Sequence, residues 1–340
     1  MSPNFVRRSE LRGTRTARTA IAVRTAHGAA YGALLVAASV VPRAGAAQNL
    51  VARGDSLYRA GRVFSAESLY YAAARYTPRD PDARLALGRY LAARGALKVG
   101  SVLMEEARFF GGNATTIARD LAPVYARLGD YRALDALPGT PLGSAERARV
   151  QWLRTNTPLV TGSDSVTLPY TPRERGPLGT VTLLVGADSV AAEIDPASQG
   201  LTLDRAWMAR KGSKVFPAGA RDPRAAVGVT SAVRLGGITL TNVSTRYAAL
   251  GGPGRARVGL DLLGALSPTF DPSARRLTLR RDRHSLSGVR GTRVPTLMTP
   301  AGLLVVGRHG AWPLAGERGR ALVRGRRISV NARRGEIVVD

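Results

Sequence analysis

The chain has 340 residues, a formal net charge of +26 and no cysteine. The absence of cysteine excludes disulfides, thiolate metal ligands and a cysteine nucleophile. All but three of the 50 basic residues are arginine, and only 6% of the residues are aromatic. Because the arginines are spread along the whole chain and no recognition motif accompanies them, we do not expect nucleic-acid binding, and the charge favours anionic surfaces of a cell envelope as partners.

The N-terminal residues have the pattern of an export signal. Several arginines precede an apolar run from Ala29 to Val41, and small residues follow up to Gln48. This pattern predicts a secretory signal peptide over residues 1–47, cleaved near Ala46 or Ala47. The apolar run is too short to cross a bilayer comfortably. We therefore expect the mature protein to be periplasmic or secreted.

Residues 48–137 are rich in alanine, leucine, arginine and tyrosine at helical spacing. Gly61, Gly95 and Gly129 are 34 residues apart, which is the tetratricopeptide period. The segment resembles two tetratricopeptide (TPR) repeats and part of a third. In such arrays, small residues at helix crossings let neighbouring helix pairs stack. We consider two roles for this segment. It either binds a peptide or partner protein on its surface, or has a purely structural or dimerising role. The residues at these packing positions are Gly54, Leu57, Ala66, Tyr70, Ala73, Leu87, Gly88, Leu91 and Ala107.

From Thr157 onward the pattern changes to β. Residues 138–164 read as a linker with one extra helix over Ala145–Arg154. In residues 165–282, strands are predicted over Thr180–Val185 and Ser189–Ile194, and a hairpin is predicted about Gly236-Gly237. Residues 283–340 form a β-rich extension, in which strands are predicted over Gly302–Val306, Arg327–Val330 and Glu336–Val339.

Two segments of residues 165–282 carry a family resemblance. The first is Val-Ala-Ala-Glu-Ile-Asp-Pro-Ala-Ser-Gln-Gly-Leu-Thr-Leu, residues 190–203. The second begins with Val-Gly-Leu-Asp-Leu-Leu, residues 258–263, and continues from Phe270 to Leu279. Together they resemble the retropepsin-like aspartyl protease family. The resemblance implies a multidomain fold, α then β, in which helical repeats precede an all-β closed barrel with a β-rich extension.

The resemblance also implies a chemistry. In that family two carboxylates share one proton, so that one activates water while the other protonates the leaving group. Asp195 matches the family's aspartate and is the candidate catalytic residue. There is no aspartate between Asp282 and Asp340, so a catalytic form must be a homodimer that pairs two Asp195 side chains. The substrate would be a peptide or protein, and no substrate-binding residue can be named.

No cofactor or metal is expected. The chain has three histidines, His27, His284 and His309, and they offer neither a metal cluster nor a Ser-His-Asp triad. The C-terminal extension carries one further signal, because Val330 to Arg334 echoes Phe270 to Arg276. That echo fits a reduced second lobe, and it also fits a β extension that packs on the barrel.

The active-site motif departs from the family pattern at two positions. Pro196 replaces a threonine or serine and has neither a hydroxyl nor a backbone N–H. Ala197 replaces a glycine, and keeps its N–H for the carboxylate. Two hypotheses follow: an exported aspartic endopeptidase, or a catalytically inactive binding or scaffold protein of the envelope. In the second, Asp195 caps a tight Asp-Pro turn at the end of a strand.

Overall fold

The computed structural model describes residues 43–173, 178–216, 226–281, 289–308, 310–332 and 334–340. Nearly all of the predicted signal peptide lies outside these ranges. A helical region comes first and a β-barrel with extra strands follows, as predicted from the sequence. The helices are α1 (Arg43–Arg59), α2 (Val63–Tyr76), α3 (Pro81–Ala93), α4 (Leu97–Phe109), α5 (Ala114–Leu128), α6 (Tyr131–Ala136) and α7 (Ser144–Thr155).

Glycines and side-chain caps fix where these helices begin and end. Gly61, Gly95 and Gly129 follow α1, α3 and α5, and each has a positive φ that favours glycine. The 34-residue spacing read from the sequence therefore marks equivalent helix ends. At the start of α3, the Asp80 carboxylate accepts hydrogen bonds from two backbone N–H groups, and Pro81 occupies the first turn.

The helices stack in order because small residues let them approach closely. Ala66, Ala73 and Ala107 are fully buried. Where α3 crosses α4, Gly88 and Gly100 face each other, and a Cβ on Gly100 would lie 2.7 Å from the Gly88 carbonyl oxygen. The crossing thus leaves no room for a side chain. None of the helices in the described parts of the chain has the length and hydropathy needed to cross a bilayer.

The strands of the barrel alternate buried apolar and exposed polar residues. They are β1 (Leu159–Gly162), β2 (Ser165–Thr171), β3 (Thr180–Val185), β4 (Asp188–Asp195), β5 (Leu201–Asp204), β6 (Ser213–Phe216), β7 (Ala226–Leu235), β8 (Ile238–Ala248), β9 (Arg255–Gly259), β10 (Thr269–Asp271) and β11 (Arg276–Arg280). A short 3-10 helix, Arg205–Ala209, follows β5, and helix α8, Leu260–Gly264, follows β9. β1 belongs to the sheet through its pairing with β8.

Strand pairing closes the barrel. The hydrogen-bonded order β3-β4-β9-β5-β8-β7 returns to β3 through the β3–β7 pair. Two pairs in it are parallel, β4 with β9 and β5 with β8, and Asp195 lies opposite Gly259. The predicted hairpin about Gly236-Gly237 is confirmed as β7 and β8. The apolar faces of these strands form one core that includes Val190, Ile194 and Leu203.

The C-terminal residues extend the sheet from the barrel. They form β12 (Thr292–Thr299), β13 (Gly302–Gly307), β14 (Gly310–Pro313), helix α9 (Glu317–Val323), β15 (Ile328–Asn331) and β16 (Glu336–Val339). β15 pairs with β10, and so joins this extension to the barrel strands. Leu297 of β12 and Val306 of β13 lie in one buried cluster with Tyr90 and Leu87 of α3. The extension therefore packs against both the helices and the barrel.

We expect Gly100→Ala to lower the free energy of unfolding by about 1–3 kcal/mol, because the new methyl group meets backbone atoms of α3 and overpacked cores lose this much. Gly254→Ala is the matched control, since Gly254 is exposed, has no positive φ and a Cβ there meets no atom within 4 Å, and its effect should stay within about 0.5 kcal/mol. Urea unfolding measures both. Equal effects of the two substitutions would contradict the tight α3–α4 crossing.

Candidate functional site

Asp195 is the last residue of β4, at the point where the strand leaves the barrel. Val190, Ala192 and Ile194 point into the core, so the alternation of the strand fixes the side of the sheet on which Asp195 lies. Pro196 and Ala197 then form a tight turn, in which the Ser198 N–H donates to the Asp195 carbonyl over 3.1 Å. The φ that proline fixes suits this position of a turn.

The Asp195 carboxylate is bound by its own turn and by one arginine. Oδ1 accepts the Ala197 N–H at 2.9 Å, and Oδ2 accepts the Ser198 hydroxyl at 2.5 Å. Arg257 of β9 brings its Nε to 3.5 Å from Oδ2, and the aspartate side chain is 24% exposed. All three of these groups carry donors, and none is an acid. Asp195 therefore caps the Asp-Pro turn and is paired with a cation.

A second segment of the same chain lies on this turn. The Leu303 N–H donates to the Pro196 carbonyl at 2.9 Å. The Gln199 side-chain amide donates to the Pro300 carbonyl at 3.3 Å. Gly302 has a φ of +106°, and a Cβ there would meet the carbonyl of Pro196 and the Cα of Ala197. The turn that carries Asp195 is thus covered by the β12–β13 hairpin.

The second aspartate of the resemblance has a structural role. Both oxygens of Asp261 accept the Gly200 N–H, at 2.9 and 3.0 Å. The Gly259 N–H returns a bond to the Gly200 carbonyl at 2.8 Å. Burial raises the pKa of Asp261, although these backbone bonds and Arg127 of α5 act in the opposite direction. Asp261 holds the end of the Asp195 turn against β9.

A third aspartate, Asp204, secures the opposite side of the barrel. Its carboxylate accepts backbone N–H groups of Ala206, Leu250 and Gly252 at 3.0, 2.8 and 3.2 Å. These bonds hold the pKa of Asp204 below its usual range. The residue caps the 3-10 helix and anchors the loop before β9, so its role is also structural.

The sequence did not point to two parts of this site. Arg257 is two residues before Gly259, on the strand that runs parallel to β4, so only the strand pairing reveals that it shares a face with Asp195. The sequence analysis predicts a strand over Gly302–Val306 and says nothing of the turn before it, so it does not place Thr299–Gly302 against Asp195. The sequence does carry a signal for this turn, because Thr299-Pro300-Ala301 repeats the Pro-Ala of Asp195-Pro196-Ala197. A search for a second aspartate overlooks that signal.

The described residues contain no group of three or more acidic, histidine or cysteine side chains that could hold a metal ion. All three histidines lie outside the residues that the structure describes. The absence of a metal and of a cofactor from the chemistry of the protein stays a prediction.

Comparison with known proteins adds little to this description. No known protein family matches the sequence, and no curated protein sequence matches it. Among solved structures, the chain is similar to a retropepsin-like aspartic protease from Rickettsia conorii, with 14% identity, a TM-score of 0.26, and coverage of 36% of this chain and 92% of that protein. A similarity this low carries no conclusion about function, which has to be argued from the site.

The raised pKa of Asp261 predicts a pH dependence. A carboxyl whose pKa is higher in the folded than in the unfolded state contributes stability fully below the unfolded value near pH 4, and loses it as the pH rises through the folded value. Asp261→Asn keeps an acceptor oxygen for Gly200 and has no proton to lose. Its unfolding free energy relative to wild type should therefore increase from pH 4 to pH 7. Urea unfolding at the two pH values measures this.

The matched control is Asp188→Asn, which changes an exposed aspartate that pairs with Arg210. A difference from wild type that is flat, or that falls with pH, in Asp261→Asn would show that the Gly200 bonds and Arg127 outweigh burial.

Proposed function

We propose that this chain is an exported, non-hydrolytic binding protein, in which a protease-like barrel and TPR-like helices form a scaffold for a peptide or protein partner. One observation carries the proposal: the Asp195 carboxylate is bound by two donors of its own turn and by the Arg257 guanidinium. These partners offer hydrogen-bond donors and a positive charge, and none of them is a second carboxyl group.

Aspartic-protease chemistry needs the opposite arrangement. Two carboxylates have to lie close enough to share a proton, because one acts as the base and the other as the acid. Pro196 adds a further obstacle, since it supplies neither the hydroxyl nor the N–H that the family uses between its two active-site turns. In the described residues, Asp195 is therefore surrounded by donors and has no second carboxylate beside it.

The helices offer the surface that suits a partner. Phe109 of α4 is 84% exposed, and Val102 of the same helix is also exposed. Exposed apolar groups of this kind mark interaction sites. They belong to an open groove of about 670 Å³, whose charged rim pairs Arg108 with Glu105. The groove is lined by Ser101, Val102, Glu105, Glu106, Arg108, Phe109 and Tyr125.

An apolar side chain of the partner would pack on Phe109, while the charged rim would orient its backbone. The Tyr125 hydroxyl donates to Glu105 at 2.6 Å and so fixes the position of that carboxylate. The residues after the predicted signal peptide are also rich in arginine, and their positive charge would favour acidic partners or an anionic envelope surface.

One observation favours the competing function, an aspartic endopeptidase that pairs Asp195 of two chains. The Ala197 N–H donates to the Asp195 carboxylate, which is the bond expected of the family's active-site turn. Hydrolysis assays separate the two functions.

The purified protein should not cleave a peptide library between about pH 3 and pH 8, the range in which a carboxylate pair would work. Mass spectrometry of the library detects cleavage. Cleavage by wild type that persists in Asp188→Asn and disappears in Asp195→Asn would overturn the proposal, because the exposed Asp188 controls for the loss of one charge. Cleavage that is equal in all three proteins would come from a contaminant and leave the prediction standing.

Binding should depend on the groove. We expect Phe109→Ala to weaken binding to peptides selected from an array by about tenfold or more, because a central aromatic contact commonly contributes this much. Leu159→Ala is the control, since Leu159 is another exposed apolar residue, on β1. Equal affinities of the two variants, or an array that yields no binding peptide, would contradict the proposed groove.

A further inference from the structure

Two hairpins meet edge to edge where the extension joins the barrel. One is β10–β11 and the other is β15–β16, and the contact is the antiparallel pair of β10 with β15. Thr269 lies directly opposite Ser329, and their buried hydroxyl groups are 2.9 Å apart. These two residues are 60 positions apart in the chain.

The same offset of 60 positions relates the neighbours of this pair, since Phe270 corresponds to Val330 and Pro268 corresponds to Ile328. Phe270 pairs with Ile328, and the Val330 N–H donates to the Pro268 carbonyl. A twofold axis through the Thr269–Ser329 pair therefore exchanges these two contacts. The relation extends along both hairpins, since buried Leu277 and Leu279 correspond to buried Ile337 and Val339.

The elements before the hairpins match as well. Helix α8 ends at Gly264, five residues before β10 begins, and α9 ends at Val323, five residues before β15 begins. Leu263 and Val323 are both buried. The echo that the sequence shows between Phe270–Arg276 and Val330–Arg334 therefore has a structural counterpart that includes a helix and a hairpin.

The two turns at the site are also alike. The turn Asp195-Pro196-Ala197 begins at the last residue of β4, and the turn Thr299-Pro300-Ala301 begins at the last residue of β12. Each turn leads to a glycine with positive φ, Gly200 at +63° and Gly302 at +106°. After that glycine, each strand begins with alternate buried residues, which are Leu201 and Leu203 in β5 and Leu303 and Val305 in β13.

The turns are also in contact. The Pro196 carbonyl accepts the Leu303 N–H, and the Pro300 carbonyl accepts the Gln199 side-chain amide. Each proline carbonyl therefore receives a donor from the residues that follow the other turn. This reciprocal contact is what two related halves make at a shared axis.

We propose that residues 292–340 form a reduced second half of the site within the same chain, and that Thr299 occupies the position corresponding to Asp195. In a homodimer, a second chain would have to pack on the Asp195 turn. In this arrangement residues Thr299–Leu303 already occupy that face of the turn. The two corresponding positions carry one carboxylate, Asp195, and one hydroxyl, Thr299, which donates to the Gly302 carbonyl at 2.9 Å. The second turn therefore offers no acid with which Asp195 could share a proton. The inference deepens the proposed non-hydrolytic function and rests on it.

A half of this size needs support from elsewhere, and helix α3 provides it. Arg94 donates from its Nη1 to the Gly335 carbonyl at 2.9 Å and to the Thr296 carbonyl at 3.3 Å. Leu297 and Val306 pack with Tyr90 in the buried cluster described above. The helices thus cover the apolar surface that a full second barrel would have covered.

The test restores the missing carboxylate. In Thr299→Asp, two carboxylates should share one proton, so the higher of their two apparent pKa values should exceed that of Asp195 in Thr299→Asn by about one unit or more. Carbon NMR of aspartate-labelled protein follows the titration, and Asp195→Asn in the Thr299→Asp background assigns the signals. Two carboxyls that titrate independently would overturn the proposal.

A second measurement guards against loss of folding in Thr299→Asp. The chain has no cysteine of its own, so the double variant Thr269→Cys, Ser329→Cys reports on the axis pair alone. The hydroxyl separation of 2.9 Å places the two side chains within reach of a disulfide. Mild oxidation should give a cross-linked monomer on a non-reducing gel. Covalent dimers, or no cross-link, would overturn the one-chain arrangement.

The outcome is separable from that of the hydrolysis assay. Cleavage that depends on Asp195 in wild type would reject the non-hydrolytic function even if the cysteine pair forms within one chain. Uncoupled carboxyls in Thr299→Asp would reject the reduced second half even if wild type cleaves nothing.

Discussion

The buried contact between Thr269 and Ser329 is the junction on which the arrangement of the site depends. Their buried hydroxyl groups lie 2.9 Å apart, and Arg280 donates a further hydrogen bond to the Thr269 hydroxyl at 3.0 Å. Loss of Thr269 would leave the buried Ser329 hydroxyl without this partner, at a cost of about 1–3 kcal/mol. The contact fixes the register of β10 against β15. A slip of one residue would turn every buried side chain of β15 and β16 toward the opposite face. Because β16 pairs with β12, this register also decides where the Thr299 turn lies relative to Asp195.

The helices are part of the same architecture. Phe216, Val227 and Val229 of the barrel lie in a buried cluster with Leu121 and Leu153 of the helical region. A separate cluster joins α3 to β12 and β13. The barrel and the C-terminal extension therefore each share a buried apolar cluster with side chains of the helices. This sharing explains how strands β12 to β16 stay ordered without closing a barrel of their own, because burial of apolar surface on the helices supplies the stabilisation.

Much of the fold could be predicted from the sequence, and the site only in part. The regular spacing of Gly61, Gly95 and Gly129 predicted helix ends correctly because all three adopt a left-handed φ. Local backbone chemistry therefore marks each of these ends. The β7–β8 hairpin is confirmed for the same reason, since Gly236 has a φ of +58° at its turn. The partners of Asp195 could not be read in this way. Arg257 lies beside Asp195 because β9 pairs with β4, and the Leu303 N–H reaches the neighbouring Pro196 carbonyl from a distant hairpin. Alternation within a strand does not specify which strand lies beside it.

Pro196 takes part in the contact between the two turns through its carbonyl alone. Proline has neither a hydroxyl nor a backbone N–H with which to link them. The carbonyl of Pro196 remains an acceptor, and it receives the Leu303 N–H at 2.9 Å. Backbone groups thus hold the turns together, with Gln199 adding a bond to Pro300. A backbone link of this kind needs no side-chain hydroxyl, and Arg257 pairs with the Asp195 carboxylate beside it. The turn is thus held by its backbone and its carboxylate by a cation and two donors of the same turn.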